Sequence, residues 1–354
     1  MHRAALTYRP VLAPRTVAER LSRLLVPGAI LDCGLERRID RLEQRFHSYV
    51  DFYPHGLWAP GLVITNEMRG MTELSLPLAE IQQLFECVFR RSLTFTPFLD
   101  ASLMHSSASW LDALQRLQPL VRQANPAVLL RLVTADEDAR RRFLFFNFLP
   151  RQYGGGFGRY PGQTAFLRDW LRENRRRFAA GPCCLDAACG SGEGTYELAL
   201  LLLENGFGVD SFQVHGSTLE PFELFAAAHC CFPHEPSRQA AYRRRIEPLF
   251  RSGVAERMIF RQEDIVETAA ADKFDVILCN GILGGPFVHG RKALGIAITC
   301  LTARLKSGGM LLAADRFHDG WMKRTPRALL REVFSDCGLR PLMVGEGVAG
   351  ITAE

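Results

Sequence analysis

From about residue 16 to residue 150, apolar positions return at intervals of three and four, as in RRIDRLEQRFHSYV, LAEIQQLFECVFRRS and ASWLDALQRLQPLVRQ. That interval places them on one face of a helix, so this half is expected to be mainly helical. The pattern breaks at YPHGLWAPGLVITNEMRGMTELSLP, residues 53–77, where Pro and Gly punctuation and short apolar runs predict a loop with a small hairpin. Gln152–Gln163, QYGGGFGRYPGQ, carries five glycines and a proline among aromatics. It reads as a linker that cannot be regular helix, or as a hinged lid with Phe157 and Tyr160 as covers.

Past Thr164 the pattern alternates. Helices expected at 165–178, 194–204, 221–231, 238–250, 293–305 and 326–337 interleave with apolar strands at 183–188, 212–218, 257–261, 274–279 and 310–314. A βαβ series of this kind closes through right-handed crossovers into a parallel sheet with helices on both faces. Two further runs, 341–344 and 347–351, split by Gly345, are expected to pair as a terminal antiparallel hairpin at the sheet edge. The expected fold class is thus α/β and Rossmann-like, with a mostly parallel seven-stranded sheet. The expected organisation is a mainly helical domain over 1–151, a Gly-rich linker or lid over 152–163, and the α/β domain over 164–354.

Composition narrows this picture only a little. At 354 residues and 47% hydrophobic content the chain has material for two modest domains. No apolar run approaches the ~20 residues needed to span a bilayer, so membrane insertion is not expected. The N-terminal MHRAALTYRPVLAPRT lacks the apolar stretch of a secretory signal, which points to the cytoplasm. Ten cysteines fall mostly in apolar segments without any CxxC pair, and buried reduced thiols are the expectation. His229, Cys230, Cys231 and His234 form one suggestive cluster, but a structural metal needs four well-spaced ligands, so no metal is expected. The net charge of +5 is modest, and the arginine clusters at 140–142, 175–177 and 243–245 read as solvated helix faces. No nucleic-acid motif accompanies them, and nucleic acid is not expected as a partner.

The most informative stretch is CCLDAACGSGEGTYELALLL. A buried strand, Cys183 to Ala188, runs into Gly190-Ser191-Gly192-Glu193-Gly194 and then directly into a helix. Glycines at such a turn let the backbone approach a ligand and expose the first helical N–H groups. Asp186 stands near the strand end, and Glu220 follows the next strand. An ionised carboxylate there accepts from two ribose hydroxyls at once, which makes Glu220 the candidate nucleoside-sugar ligand. A dinucleotide site would read GxGxxG and hold a pyrophosphate; this turn reads GxGxG among acids that repel one. Together these features point to S-adenosylmethionine as the cofactor. Asp264, in RQEDIVE after the third strand, stands where methyltransferases of this fold place a side chain against the adenine amino group, and Ile265 lines the ring.

TAFLRD at Thr164–Asp169, GEGTYELA at Gly192–Ala199 and FDVILCNGIL at Phe274–Leu283 resemble, in the right order, segments of the CheR-type chemotaxis methyltransferases. The resemblance covers roughly the C-terminal 190 residues. It implies a Rossmann-like methyltransferase fold and methyl transfer to glutamate side chains of a protein, giving esters. It further implies that Thr164 and Arg168 reach the methionine end of the cofactor, with Arg168 pairing its carboxylate, that Glu193 sits beside the glycine turn, and that Glu220 binds the ribose. Ala188, Cys279, Asn280 and Gly281 complete the expected cofactor contacts. Where the family carries CRNVxxYF, this chain reads Cys279-Asn280-Gly281-Ile282-Leu283-Gly284-Gly285-Pro286, without the family's arginine and tyrosine. Asn280–Phe287 offers no His, Asp or Glu, with His289 and His318 the nearest bases by sequence. The expected partner is therefore a protein carboxylate or a small-molecule acceptor that needs no deprotonation. A small-molecule acceptor would be held by the helical N-terminal half. A cofactor-binding regulatory protein is the non-catalytic alternative.

Overall fold

The three-and-four spacing of the first half folds as helices. After a two-residue strand, β1 (Thr7–Tyr8), come α1 (Pro14–Leu21), α2 (Cys33–Phe52), α3 (Asn66–Ser75), α4 (Leu78–Ser92), α5 (Trp110–Leu117), α6 (Pro126–Ala135) and α7 (Glu137–Phe148). The computed structural model describes residues 5–52, 63–118, 120–121, 123–149, 156–266, 272–314 and 319–353. By contacts the chain divides into two units, one of Ala13–Pro150 with Phe232–Arg238, the other of Met1–Leu12, Arg151–Cys231 and Gln239–Glu354.

In the helical unit, α2 buries Leu35, Ile39, Leu42 and Tyr49, a stripe along one face. Phe85 of α4 and Phe143 of α7 are fully buried with ring centroids 5.3 Å apart, and each such side chain contributes about 1.5–3 kcal/mol of burial. The hairpin expected within 53–77 is corrected in part. Residues 53–62 lie outside the described residues, but Asn66–Ser75 is a helix, started by Thr65, whose Oγ1 accepts from the Met68 amide. The cap satisfies a first-turn N–H and outweighs Gly70, whose helix-interior cost is only about 1 kcal/mol.

The α/β unit contains α8 (Pro161–Glu173), β2 (Cys183–Ala187), α9 (Glu193–Glu204), β3 (Gln213–Thr218), α10 (Pro221–His229), most of α11 (Pro236–Arg251), β4 (Met258–Gln262) and β5 (Phe274–Leu278). It continues through α12 (Arg291–Ala303), β6 (Leu305–Ala314), α13 (Asp319–Arg324), α14 (Arg327–Asp336), β7 (Arg340–Val344) and β8 (Gly347–Ile351). The sheet order is β1-β4-β3-β2-β5-β6-β8-β7. β4, β3, β2, β5 and β6 are parallel, and β7–β8 form the expected antiparallel hairpin against β6. The sheet has eight strands, one more than the pattern predicts, because β1 pairs antiparallel with β4 through Thr7↔Arg261 and Tyr8↔Phe260. Two residues are too short for alternation to register.

Succession moves outward from β2 to β4 and then returns to β5 on the other side. The reversal lies between β2 and β5, and in sheets of this kind the crevice at that reversal, outside the carboxyl ends of the strands, is where ligands bind. One face of the sheet is sealed by an apolar cluster in which Leu185, Ala187, Ile277, Leu311 and Ala313 meet Leu294, Ile298, Leu330 and Phe334. The linker reading of 152–163 is also corrected at its end. Pro161, Gly162 and Gln163 are the first turn of α8 because proline is favoured at N1, where no N–H is needed, and the next two amides are capped from a distance by Glu346. Residues 152–155 lie outside the described residues.

None of the ten cysteines forms a disulfide among the described residues, but only Cys184, Cys189, Cys230 and Cys279 are buried, and Cys33 is exposed. Among the described residues no helix is long and apolar enough to cross a membrane.

Candidate functional site

Strand β2 ends at Ala187, and the chain then leaves the sheet through Ala188, at φ +58°, a conformation rare for a residue with a side chain. The Cys189 amide donates to the Ser217 carbonyl at 2.7 Å, which holds the turn against the end of β3. Gly190 at φ +55° faces open space, with nothing within 4 Å of where a β-carbon would stand. Gly192 at φ +89° is the opposite case: its β-carbon would meet Ala227 Cβ at 2.8 Å, so glycine there lets α9 start close against α10. The Tyr196 hydroxyl donates to the Ala227 carbonyl at 2.9 Å and fixes the same approach. Below the turn, Ser191 Oγ donates to Glu193 at 2.8 Å, and the buried Tyr242 hydroxyl donates to the Ser191 carbonyl at 2.7 Å.

The carboxylates around this turn are buried. Asp186 accepts from Thr195 Oγ1 at 2.8 Å, yet burial pushes its pKa up to about 7. Glu220 stands at the N-cap of α10, two residues beyond β3 and one strand away from the turn. It is 8% exposed, and among the described residues neither carboxylate oxygen has a hydrogen-bond partner of acceptable geometry. Burial, and then the neighbouring Glu223 carboxylate, push its pKa up to about 8, offset only in part by the nearby Phe222 amide. Glu223 itself accepts from Thr218 Oγ1 at 2.7 Å. A buried acid without a partner costs free energy, so its retention points to a donor that arrives from outside the chain.

The other expected residues divide. Asn280 and Gly281 follow β5, beside β2, and so reach the strand reversal. Asn280 exchanges amide bonds with Gln163, at 3.0 and 2.8 Å, and its Oδ1 also accepts the Ala314 amide at 2.8 Å. Asp264 follows β4, where its Oδ1 accepts the Val266 amide at 2.9 Å. Ile265 and Cys279 belong to the apolar cluster, and burial raises the Cys279 thiol's pKa. Arg168 is not brought to the turn, and the side-chain bond of Thr164 lies within its own helix. The Thr164 hydroxyl donates to the Tyr160 carbonyl within its own helix, at 3.0 Å. Arg168 pairs with Glu204 at 3.3 Å, at the far end of α9, eleven residues and about 16 Å of helix from Glu193. Among the bases, His289 is exposed with its ring 5.1 Å from Trp321, and His318 lies outside the described residues.

Sequence reasoning missed the groups that α8 and its approach bring to the site. Gln163, Tyr242 and Glu346 are distant from the turn in sequence, and no local pattern marks them. Arg159 carries no motif either.

No family model matches the sequence, and no curated protein matches it. Solved structures with partial likeness include StiE O-MT, at 17% identity over 51% of this chain with a TM-score of 0.32, and this chain spans 59% of that one. A sugar N-methyltransferase from Streptoalloteichus aligns at 17% identity over 58% of this chain and 91% of its own, with a TM-score of 0.37. A magnesium protoporphyrin IX methyltransferase from Synechocystis with bound SAH aligns at 16% identity over 61% and 94%, with a TM-score of 0.36.

Proposed function

We propose that the chain is an S-adenosylmethionine-dependent methyltransferase acting on a carboxylate acceptor. One observation carries the cofactor assignment: the buried Glu220, both oxygens unpartnered, stands one strand from a glycine turn that opens a helix. Two vicinal ribose hydroxyls are the donors such a group lacks. Gly190 and Gly192 would leave backbone room for the nucleoside, Asp264 would accept from the adenine amino group, and Ile265 would support the ring from the apolar side. When bound, the cofactor's sulfonium supplies a methyl group already activated for in-line displacement.

What remains for the protein is alignment and exclusion of water, which supply ~7–11 kcal/mol in well-oriented systems. Asn280–Phe287 contains no His, Asp or Glu, and the Asn280 carbonyl already accepts two bonds. A carboxylate is ionised at neutral pH and needs no base, which supports it over a hydroxyl acceptor. The receptor-glutamate form of this reaction is what the CheR-type resemblance implies.

The assignment is tested by calorimetry with S-adenosylhomocysteine on wild type and Glu220→Ala. Binding to the variant is expected to be about 10- to 100-fold weaker, the loss of hydrogen bonds to a charged group. Equal binding by both rejects the ribose assignment. Incubation of labelled cofactor with cell extract then separates acceptors: base-labile label in precipitated protein identifies a protein ester, and base-labile label extracted into organic solvent, away from the cofactor, a small acid.

A further inference from the structure

We propose that Tyr242 is a positioning residue for the cofactor: its hydroxyl fixes the peptide between Ser191 and Gly192 and so sets the glycine turn before the nucleoside arrives. This rests on the S-adenosylmethionine reading above. Gly190 at φ +55° and Gly192 at φ +89° stand on either side of Ser191, and glycine visits positive and negative φ about equally. A backbone with a glycine on each side of one residue therefore has several shapes open to it. Binding a ligand to one of them costs the freedom of the rest, unless the fold has already removed it.

That freedom is removed at one peptide group. Its carbonyl, from Ser191, accepts the Tyr242 hydroxyl at 2.7 Å, and its amide, from Gly192, donates to the Cys189 carbonyl at 2.9 Å. A rotation of this peptide breaks both bonds. The Cys189 bond is internal to the turn and lasts only while the turn keeps its shape. The Tyr242 bond comes from α11, 51 residues away in sequence, and imposes that shape from outside.

Tyr242 is itself fixed. It is 3% exposed, and with Ile246 and Leu249 it makes the buried stripe of α11, at the spacing of one helix face. Its ring meets Tyr196 of α9 edge-on at 5.9 Å and Phe157 edge-on at 5.0 Å. Tyr196 in turn is anchored on the Ala227 carbonyl, at the same close approach of α9 and α10 that Gly192 permits. Burial raises the Tyr242 pKa well above the usual tyrosine range, so the hydroxyl keeps its proton and stays a donor. The effect of Tyr242 falls on the fraction of molecules whose turn already has the binding shape, and the apparent dissociation constant rises as that fraction falls.

Calorimetry with S-adenosylhomocysteine on the full chain tests this, with wild type, Tyr242→Phe and Ile246→Val. Tyr242→Phe keeps the ring and deletes the hydroxyl; its binding is expected to be about 5- to 10-fold weaker, the worth of one hydrogen bond. Ile246→Val, one turn along the same stripe, loosens the packing of α11 without touching the turn, and is expected to bind as wild type does. Hydrogen exchange gives a second readout. The peptide spanning 187–196 is expected to exchange faster in ligand-free Tyr242→Phe than in ligand-free wild type, and to regain wild-type protection with saturating S-adenosylhomocysteine. Wild-type affinity in Tyr242→Phe overturns the proposal, as does an equal loss in Ile246→Val, which would make packing and not the hydroxyl the cause. Absence of a cooperative melt in Tyr242→Phe overturns it too, because the hydroxyl would then hold the fold and not the turn. Wild type that binds no S-adenosylhomocysteine removes the cofactor reading itself, whereas equal binding by wild type and Tyr242→Phe removes this proposal alone.

Discussion

Glu220 shows how burial of one side chain enters its titration. A glutamate in the unfolded chain titrates near 4.5, and burial in the folded chain moves Glu220 to about 8. Below pH 4.5 both states hold the proton and nothing changes. Between 4.5 and 8 the unfolded chain has released a proton that the folded chain keeps, so the contribution of Glu220 to stability falls as pH rises, and it levels above 8. Glu220→Gln removes this titration while keeping the shape. Its stability is expected to gain on wild type from pH 4.5 to 8 by up to about 5 kcal/mol, the linkage of a shift of this size, with a matching rise in relative Tm. Thermal unfolding of both proteins across that range checks it, and parallel curves refute it. Asp186 is raised as well, but it is present in both proteins and cancels. Glu220 was legible from sequence as a candidate because it is an acid just after an apolar strand that follows a glycine turn. Arg168 was legible only as part of a resemblance, and its ion pair with Glu204 puts it elsewhere.

At the scale of elements, α8 starts four residues before the sequence places it. Four glycines before it suggest slack, yet the helix begins at Pro161 because Glu346, 184 residues later, supplies its cap. Glu346→Ala leaves the Gly162 and Gln163 amides to water. The expected cost is about 0.5–2 kcal/mol, with loss of hydrogen-exchange protection at the first turn of α8 while β2 and β5 stay protected. Exchange measured by mass spectrometry on peptides spanning 156–173 and 183–187 decides it; unchanged protection in the first peptide would mean that the cap carries nothing. The strands themselves were placed within a few residues, because a run of apolar residues between breakers has one use in a βαβ series. β6 is longer than expected, extending back to Leu305 across Ser307-Gly308-Gly309, where the pairing with β5 shifts register. Glycines that read as a break there belong to a strand irregularity.

On the scale of the whole molecule, the α/β unit begins at the N-terminus of the chain. Tyr8 of β1 is 7% exposed and meets Phe225 and His229 edge-on, and the His229 ring bonds the Val11 carbonyl at 2.9 Å. Tyr8→Ala is expected to cost about 3 kcal/mol and lower the Tm of this unit by several degrees, checked by differential scanning calorimetry. No change would mean that the edge strand adds nothing to the sheet.

The sequence by itself determined most of the strands, their parallel pairing and the glycine turn, because periodicity and glycine freedom are local facts. Only the tertiary structure decided which side chains meet at the carboxyl ends of β2 and β5. Gln163 meets Asn280 and Glu346 caps α8 through contacts across more than a hundred residues, and Arg168 pairs with Glu204 at the other end of α9. Such pairings depend on how elements stack, which a one-dimensional pattern does not encode.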